Sequence, residues 1–269
     1  MAPSTPRLAC TPLLARGRLG AARVRVLAIG AAAVLATTTP AAAQGTSSRV
    51  VVTVNGGIQT AGPGLSDHFE FATDPIETAK VDVRYPAKPS LLIDGGVGFR
   101  IWKSLGAGVA VSHASVDGTA EVDAQVPHPL QIGQPREVNG EQDGITRAET
   151  GVHVQFQVSV PMASRVALVL SAGPSRLNVE QEIVTKVLYD EEYPFDVATF
   201  RSATTRRSKA SVTGFNAGAD LRWMLSRNVG LGGMLRYIRG SVDLETDDDR
   251  QISVRAGGLQ VGGGLRIGF

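Results

Sequence analysis

From residue 50 onward, apolar and polar positions alternate with a period of two, in short runs separated by polar segments. Eight such runs can be counted, at 50–59, 90–102, 105–115, 152–160, 165–173, 214–225, 229–237 and 251–269. In the clearest, Val152, Val154, Phe156, Val158 and Val160 alternate with His153, Gln155, Gln157 and Ser159. In the last, Leu259, Val261, Leu265, Ile267 and Phe269 oppose Gly258, Gln260, Gly262, Gly264, Arg266 and Gly268. Alternation of this kind puts the apolar side chains on one face of a strand and the polar or small ones on the other. Runs of about 10 residues are the length at which a tilted strand crosses a bilayer. The pattern therefore predicts an all-β, antiparallel, eight-stranded transmembrane β-barrel with a polar lumen.

The connections alternate in length. Lys103-Ser104, Pro161 to Ser164 and Ser226 to Asn228 are tight, whereas 60–89, 116–144 and 174–208 are long and polar, and 244–250 is shorter. Short turns at one end and long extracellular loops at the other are the layout of bacterial outer-membrane barrels. An even strand count returns both termini to the side of the tight turns, which is expected to be the periplasm. His68 to Phe71, Lys80 to Tyr85 and Asn178 to Tyr189 alternate as well, and are expected to be strands continuing above the membrane. Trp102, Trp223 and Tyr237 fall near run ends, where interfacial aromatics belong.

The N-terminus changes the reading of the composition. Residues 1–25 carry Arg7, Arg16, Arg18, Arg23 and Arg25 and no acid; Val26 to Leu35 is apolar, and Ala41-Ala42-Ala43 follows. This is the pattern of a secretory signal peptide, with cleavage expected after Ala43. The apolar run is too short for a spanning helix. Without residues 1–43 the formal charge goes from +2 to −3, because five arginines leave and no acid does. The basic balance thus belongs to the leader and is no argument for nucleic acid. Cys10, the one cysteine, leaves too, so residues 44–269 are expected to form a barrel domain free of disulfide and thiol chemistry.

This layout resembles the eight-stranded Gram-negative outer-membrane β-barrel family, which includes the transmembrane domain of outer-membrane protein A. The resemblance covers about residues 46–269 and rests on strand pattern and topology. Gly96-x-Gly98-x-Arg100, the Leu105-Gly106-Ala107-Gly108-Val109 run after a tight turn, and the terminal Phe269 carry it. The tail also resembles the signal read by the barrel-assembly machinery, which implies a recognition role for Gly263, Leu265, Ile267 and Phe269. Outer-membrane lipids are the other implied partner. The family resemblance is nearly silent on activity.

Charges on the lumen parity are the strongest candidate for a site. Asp94, Arg100, Asp220, Arg222, Arg236 and Arg266 share that face with Asn55, His153, Gln155, Gln157, Asn216 and Gln260. An eight-stranded barrel is just wide enough to be filled by side chains. Buried charges must pair or be hydrated, so two acids among four arginines predict a salt-bridged plug. A narrow anion-preferring path is the alternative. His113, Ser115 and Glu121 faintly resemble the His-Ser-Glu site of the lipid A deacylases, but on the wrong strand, so no catalytic residues are assigned. Asp243, Glu245, Asp247, Asp248 and Asp249 crowd the last loop, yet their spacing matches no defined metal loop, and no metal or cofactor is expected. Arg201, Arg206, Arg207 and Lys209 form a basic stretch that could meet lipid phosphates. The expected function is a non-enzymatic structural or surface-interaction role, carried by the long loops. A narrow porin-like pore comes second, and a lipid-modifying enzyme third. The pattern names no extracellular ligand.

Overall fold

The computed structural model describes residues 48–62, 64–72, 77–245 and 251–269. Ten strands follow in order: β1 (Val50–Gln59), β2 (Leu65–Ala72), β3 (Thr78–Tyr85), β4 (Ser90–Trp102), β5 (Leu105–His128), β6 (Gln131–Ala163), β7 (Val166–Glu191), β8 (Ala198–Met224), β9 (Val229–Glu245) and β10 (Gln251–Gly268). Eight of them, β1 and β4 to β10, close into an antiparallel ring. The ring is sealed where β1 lies between β4 and β10, with Val51 opposite Gly268 and Gln59 opposite Gln260. The hairpin β2–β3 stands outside this ring order. It pairs Lys80–Arg84 with Glu121–Gln125 of β5, in the position β4 occupies nearer the short turns.

Each of the eight expected runs is a ring strand, and its faces point as the alternation requires. The apolar parity is turned outward. Val54, Leu91, Ile93, Val109, Val154, Phe156, Leu170, Leu221, Leu235 and Val261 are all exposed. On β6 the outward apolar positions run from Val152 to Met162, eleven residues, as a strand needs to cross a bilayer. So many large apolar side chains in one continuous band would not be tolerated against water. They form the lipid-facing belt. Trp102 and Trp223 stand at its short-turn edge and Tyr237 toward the other, each more than two-fifths exposed.

The long connections depart from the sequence reading. The segment 116–144 is mostly strand, since β5 runs on to His128 and β6 starts at Gln131, leaving Pro129 and Leu130 as the turn. Likewise β7 continues to Glu191 and β8 begins at Ala198, so most of 174–208 is paired. The strands expected at 68–71, 80–85 and 178–189 are present as parts of β2, β3 and β7. The reason is an inversion of faces. On β7 the inward residues Ser171 and Ser175 are followed by Leu177 and Val179, while the outward face changes from Leu168 and Leu170 to Arg176, Asn178 and Glu180. On β5 the inward Ser112 gives way to Ala120, Val122, Ala124 and Val126. Beyond the belt the same strands thus become an ordinary water-soluble wall, apolar inside. Phe69, Val81, Val83, Val122, Val138, Leu177, Val179 and Ile183 fill it as one core.

Candidate functional site: the barrel interior

Within the belt the interior is polar and tightly bonded. Asp94 on β4 is 1% exposed. Its Oδ2 accepts from Arg236 Nη1 at 2.7 Å, and its Oδ1 from Asn55 Nδ2 at 2.9 Å. Asn55 Oδ1 accepts in turn from Arg266 Nη1 at 2.7 Å. Arg266, fully buried, donates through Nη2 to Asp220 Oδ1 at 2.5 Å, and Asp220 Oδ2 accepts from Arg222 Nε at 2.6 Å. One carboxylate therefore serves two arginines. Such charge-assisted bonds are the strong ones, and a guanidinium is built to make several at once. The packing leaves room for them through glycine: a Cβ at Gly232 would lie 2.6 Å from Arg266 Nε.

The chain of contacts continues toward the long-strand end. Arg236 Nη1 also donates to Gln260 Oε1 at 3.3 Å, Gln260 Nε2 to Gln59 Oε1 at 2.8 Å, and Gln59 Nε2 to Glu149 Oε2 at 2.9 Å. Glu149 closes the series with Arg147 at 2.6 Å. Beside it runs a second network. His153 lies between Ser112 Oγ at 2.9 Å and Ser175 Oγ at 2.8 Å, and Asn216 Nδ2 donates to Ser175 Oγ at 2.8 Å. Gln155 Nε2 donates to Asn216 Oδ1 at 3.0 Å. Space among these groups is small: a cavity of about 40 Å³ touches Asp94, Asp220, Arg236 and Arg266, and one of about 60 Å³ lies by Gln59 and Glu149. About 10–15 Å³ of such space admits one water, so each cavity has room for a few waters and no more. Above that level the apolar core takes over.

The structure joins five of the six expected lumen charges. Arg100 lies outside that column, on the wall of a cavity of about 440 Å³ at the short-turn mouth. Gln59, Arg147 and Glu149 belong to the chain and were not among the expected site residues. Parity held the signal, because 149 continues the inward series 153, 155, 157. Gly263, Leu265, Ile267 and Phe269 lie on the outward parity of β10, and Phe269 O accepts from the Arg49 amide at 2.9 Å.

The other candidates do not assemble. His113 faces outward and bonds to Thr150 Oγ1 at 3.0 Å. Glu121 is eight residues further along the same strand, roughly 27 Å away, so no triad forms. The basic stretch is paired across β7 and β8: Arg201 with Asp190 at 3.1 Å, Arg207 with Glu182 at 3.0 Å and Lys209 with Glu180 at 2.6 Å. The Thr146 amide, and then Arg207, hold the Glu182 carboxyl below its usual range. Burial pushes the Tyr189 phenol up. The acidic cluster of the last loop and the expected signal peptide, residues 1–43, lie outside the residues whose side chains are described.

No protein-family model matches the chain, and no curated protein sequence does. Solved structures similar to it include Neisserial surface protein A (13% identity, TM-score 0.44, 82% of this chain and 98% of that one). OprG from Pseudomonas aeruginosa is another (10%, TM-score 0.45, 82% and 97%). The protease OmpT from Escherichia coli is a third (8%, TM-score 0.45, 85% and 99%). These likenesses are distant, and the weight rests on the closed ring, its polar lumen and its apolar belt. The chain is an eight-stranded antiparallel β-barrel with an apolar outer belt. The interior of this barrel holds its charges in a bonded column from Arg222 to Arg147, and what that column can do chemically is to brace the wall and obstruct the lumen.

Proposed function

We propose that this barrel is a non-enzymatic, non-conducting surface protein, with its short turns in the periplasm and its strand-built wall displayed outside the cell. The observation that carries the reading is the filled interior. Across the belt the lumen is occupied by the column of ion pairs and amides, and above it by the apolar core of the wall. A solute would have to break several charge-assisted bonds and then cross a hydrophobic layer. The wall itself is a rigid platform of paired strands with a polar outer face, suited to contact with other surfaces. On this reading residues 1–43 direct export and are removed. The outward row Gly263, Leu265, Ile267 and Phe269 is then presented to the assembly machinery before the ring closes.

Single-channel recording of the refolded protein in a planar bilayer tests the proposal. Silence, or rare brief openings, is expected. A steady conductance in the unmutated protein would replace this reading with that of a narrow pore.

A further inference from the structure

Among the described residues, the large apolar side chains left exposed fall in two places. One is the belt. The other is the far end of the wall. Leu130 and Ile132 stand there at the turn from β5 to β6, and Tyr193 and Val197 in the connection from β7 to β8. Their exposures of 66%, 79%, 79% and 71% are those of the belt's own Leu91 and Phe156, at 75% and 74%. The described outer face of the wall between belt and tip presents none of this kind. At about 3.3 Å per residue, the length of β6 from Ile132 to Val152 puts the tip roughly 65 Å along the strand from the belt. The two turns are tied into one tip. Arg136, buried, donates to Phe195 O at 2.7 Å, to Pro127 O at 2.8 Å and to Glu191 Oε2 at 2.7 Å. The Leu130 amide donates to His128 Nδ1 at 3.1 Å, and the Tyr193 and Phe195 rings pack edge to face 5.8 Å apart. The apolar points are therefore held in place before any partner arrives.

We infer that this tip docks onto a second lipid surface, a zwitterionic bilayer with choline headgroups. Exposed apolar clusters mark interaction sites. Side chains this exposed on hairpin turns protrude, and a fluid apolar phase accepts them without the shaped pockets a protein partner must supply. Tyrosine suits the membrane interface, with its ring in the apolar layer and its hydroxyl in the wet one. Charge decides which lipid. Glu192 adjoins Tyr193 and Asp196 adjoins Val197, and both carboxylates are exposed. The nearby arginines are already paired, Arg136 with Glu191 and Arg201 with Asp190, and His128 Nε2 lies 3.7 Å from Asp196. An anionic surface is repelled by such a rim. A choline headgroup presents a quaternary ammonium, which carboxylates attract and aromatic faces hold. That the second bilayer belongs to another cell rests on the orientation proposed above.

The test holds the refolded barrel in nanodiscs and sediments it with sucrose-loaded vesicles, with empty nanodiscs as the blank. Binding to phosphatidylcholine vesicles is expected, and weaker binding to phosphatidylglycerol vesicles. Replacing Leu130, Ile132, Tyr193 and Val197 together by Ser should weaken binding about tenfold or more, since interfacial binding scales with the apolar area inserted. A thermal melt matching the parent separates lost docking from lost fold. Ile132→Ser and Tyr193→Ser alone, each at an exposed side chain, should weaken it by smaller factors. Glu192→Lys with Asp196→Lys should reverse the lipid preference. In a Tyr193→Trp variant, vesicles of brominated phosphatidylcholine should quench the added tryptophan, while one placed on the wall by Thr205→Trp keeps its emission. Equal binding by the quadruple variant, or a preference of the unmutated protein for phosphatidylglycerol, would overturn the inference. Failure to bind either vesicle would also overturn it, in favour of a protein occupant. Orientation is read separately, by reacting a Gln131→Cys variant in intact cells with a membrane-impermeant thiol reagent. Absence of labelling there would refute the outward placement of the wall while leaving the vesicle result intact.

Discussion

Arg266 donates to Asn55 at 2.7 Å, so two residues 211 positions apart tie β10 to β1 from inside the ring they close. Asn55 then passes the contact on to Asp94. Asn55→Leu should strip one acceptor from Arg266 and one donor from Asp94. A hydrogen bond to a charged group contributes about 1.5–3 kcal/mol. Urea unfolding in lipid vesicles should register a loss of at least that size, with the belt's insertion unchanged.

Asp220 is the more exposed test of the plug. Asp220→Asn leaves Arg222 and Arg266 without their carboxylate, and breaking a buried pair by removing one partner costs about 3–5 kcal/mol. Combined with Asp94→Asn, it should also let the arginines repel and admit water. Planar-bilayer recordings of the double variant are expected to show anion-preferring conductance together with lowered stability. A tight, silent double variant would mean that shape, not charge pairing, closes the lumen.

The belt has a depth profile that refolding titrations can read. Phe156 is 74% exposed on the middle of the outward face of β6, and Met162 lies on the same face near the short turn. Phe156→Arg should cost about 2–4 kcal/mol and Met162→Arg about 0–1 kcal/mol, because charge is costly at the midplane and cheap at the interface. The reverse ranking would misplace the membrane.

The outer wall should unfold separately from the belt. Val122 is 1% exposed in the apolar core above the membrane. Val122→Asp buries a charge there without a partner and should open the wall to protease added to intact cells. The transmembrane ring, held by its own pairing, should still migrate as a folded species in unboiled gel samples.

Acid should loosen the same wall. The Glu182 carboxyl is held below its usual range by the Thr146 amide and by Arg207. A carboxyl with a lowered folded pKa stabilises fully above the unfolded value, about 4.3. That contribution is lost as pH falls through the folded value. Stability of the outer wall, followed by hydrogen exchange, should drop below about pH 4.3. Glu182→Gln should remove part of that drop, on the order of 1 kcal/mol.

Much of this barrel was legible along the chain because a β-strand in a bilayer obeys one local rule. Lipid on one side and a polar lumen on the other force a period of two. Val152 to Val160, or Leu259 to Phe269, display it without reference to any neighbour. The same rule assigned Asp94, Asp220, Arg236 and Arg266 to the inside, since an unpaired charge against lipid is expensive wherever its partner sits. What parity does not carry is which residues meet. That Asp94 takes Arg236, 142 positions away, and that Asp220 takes Arg266, 46 positions away, depends on register between strands. That Arg100 falls into the mouth depends on how far each strand is staggered around the ring. Of the wall beyond the belt, the strands at 68–71, 80–85 and 178–189 were legible, whereas those within 116–144 were hidden for a related reason. Beyond the membrane the two faces exchange character, so Ala120 to Val126 and Leu177 to Ile183 alternate with the opposite sense. A run that reads as a polar loop becomes a strand once an apolar interior, assembled from β3, β5, β6 and β7 together, gives its inward side chains somewhere dry to go.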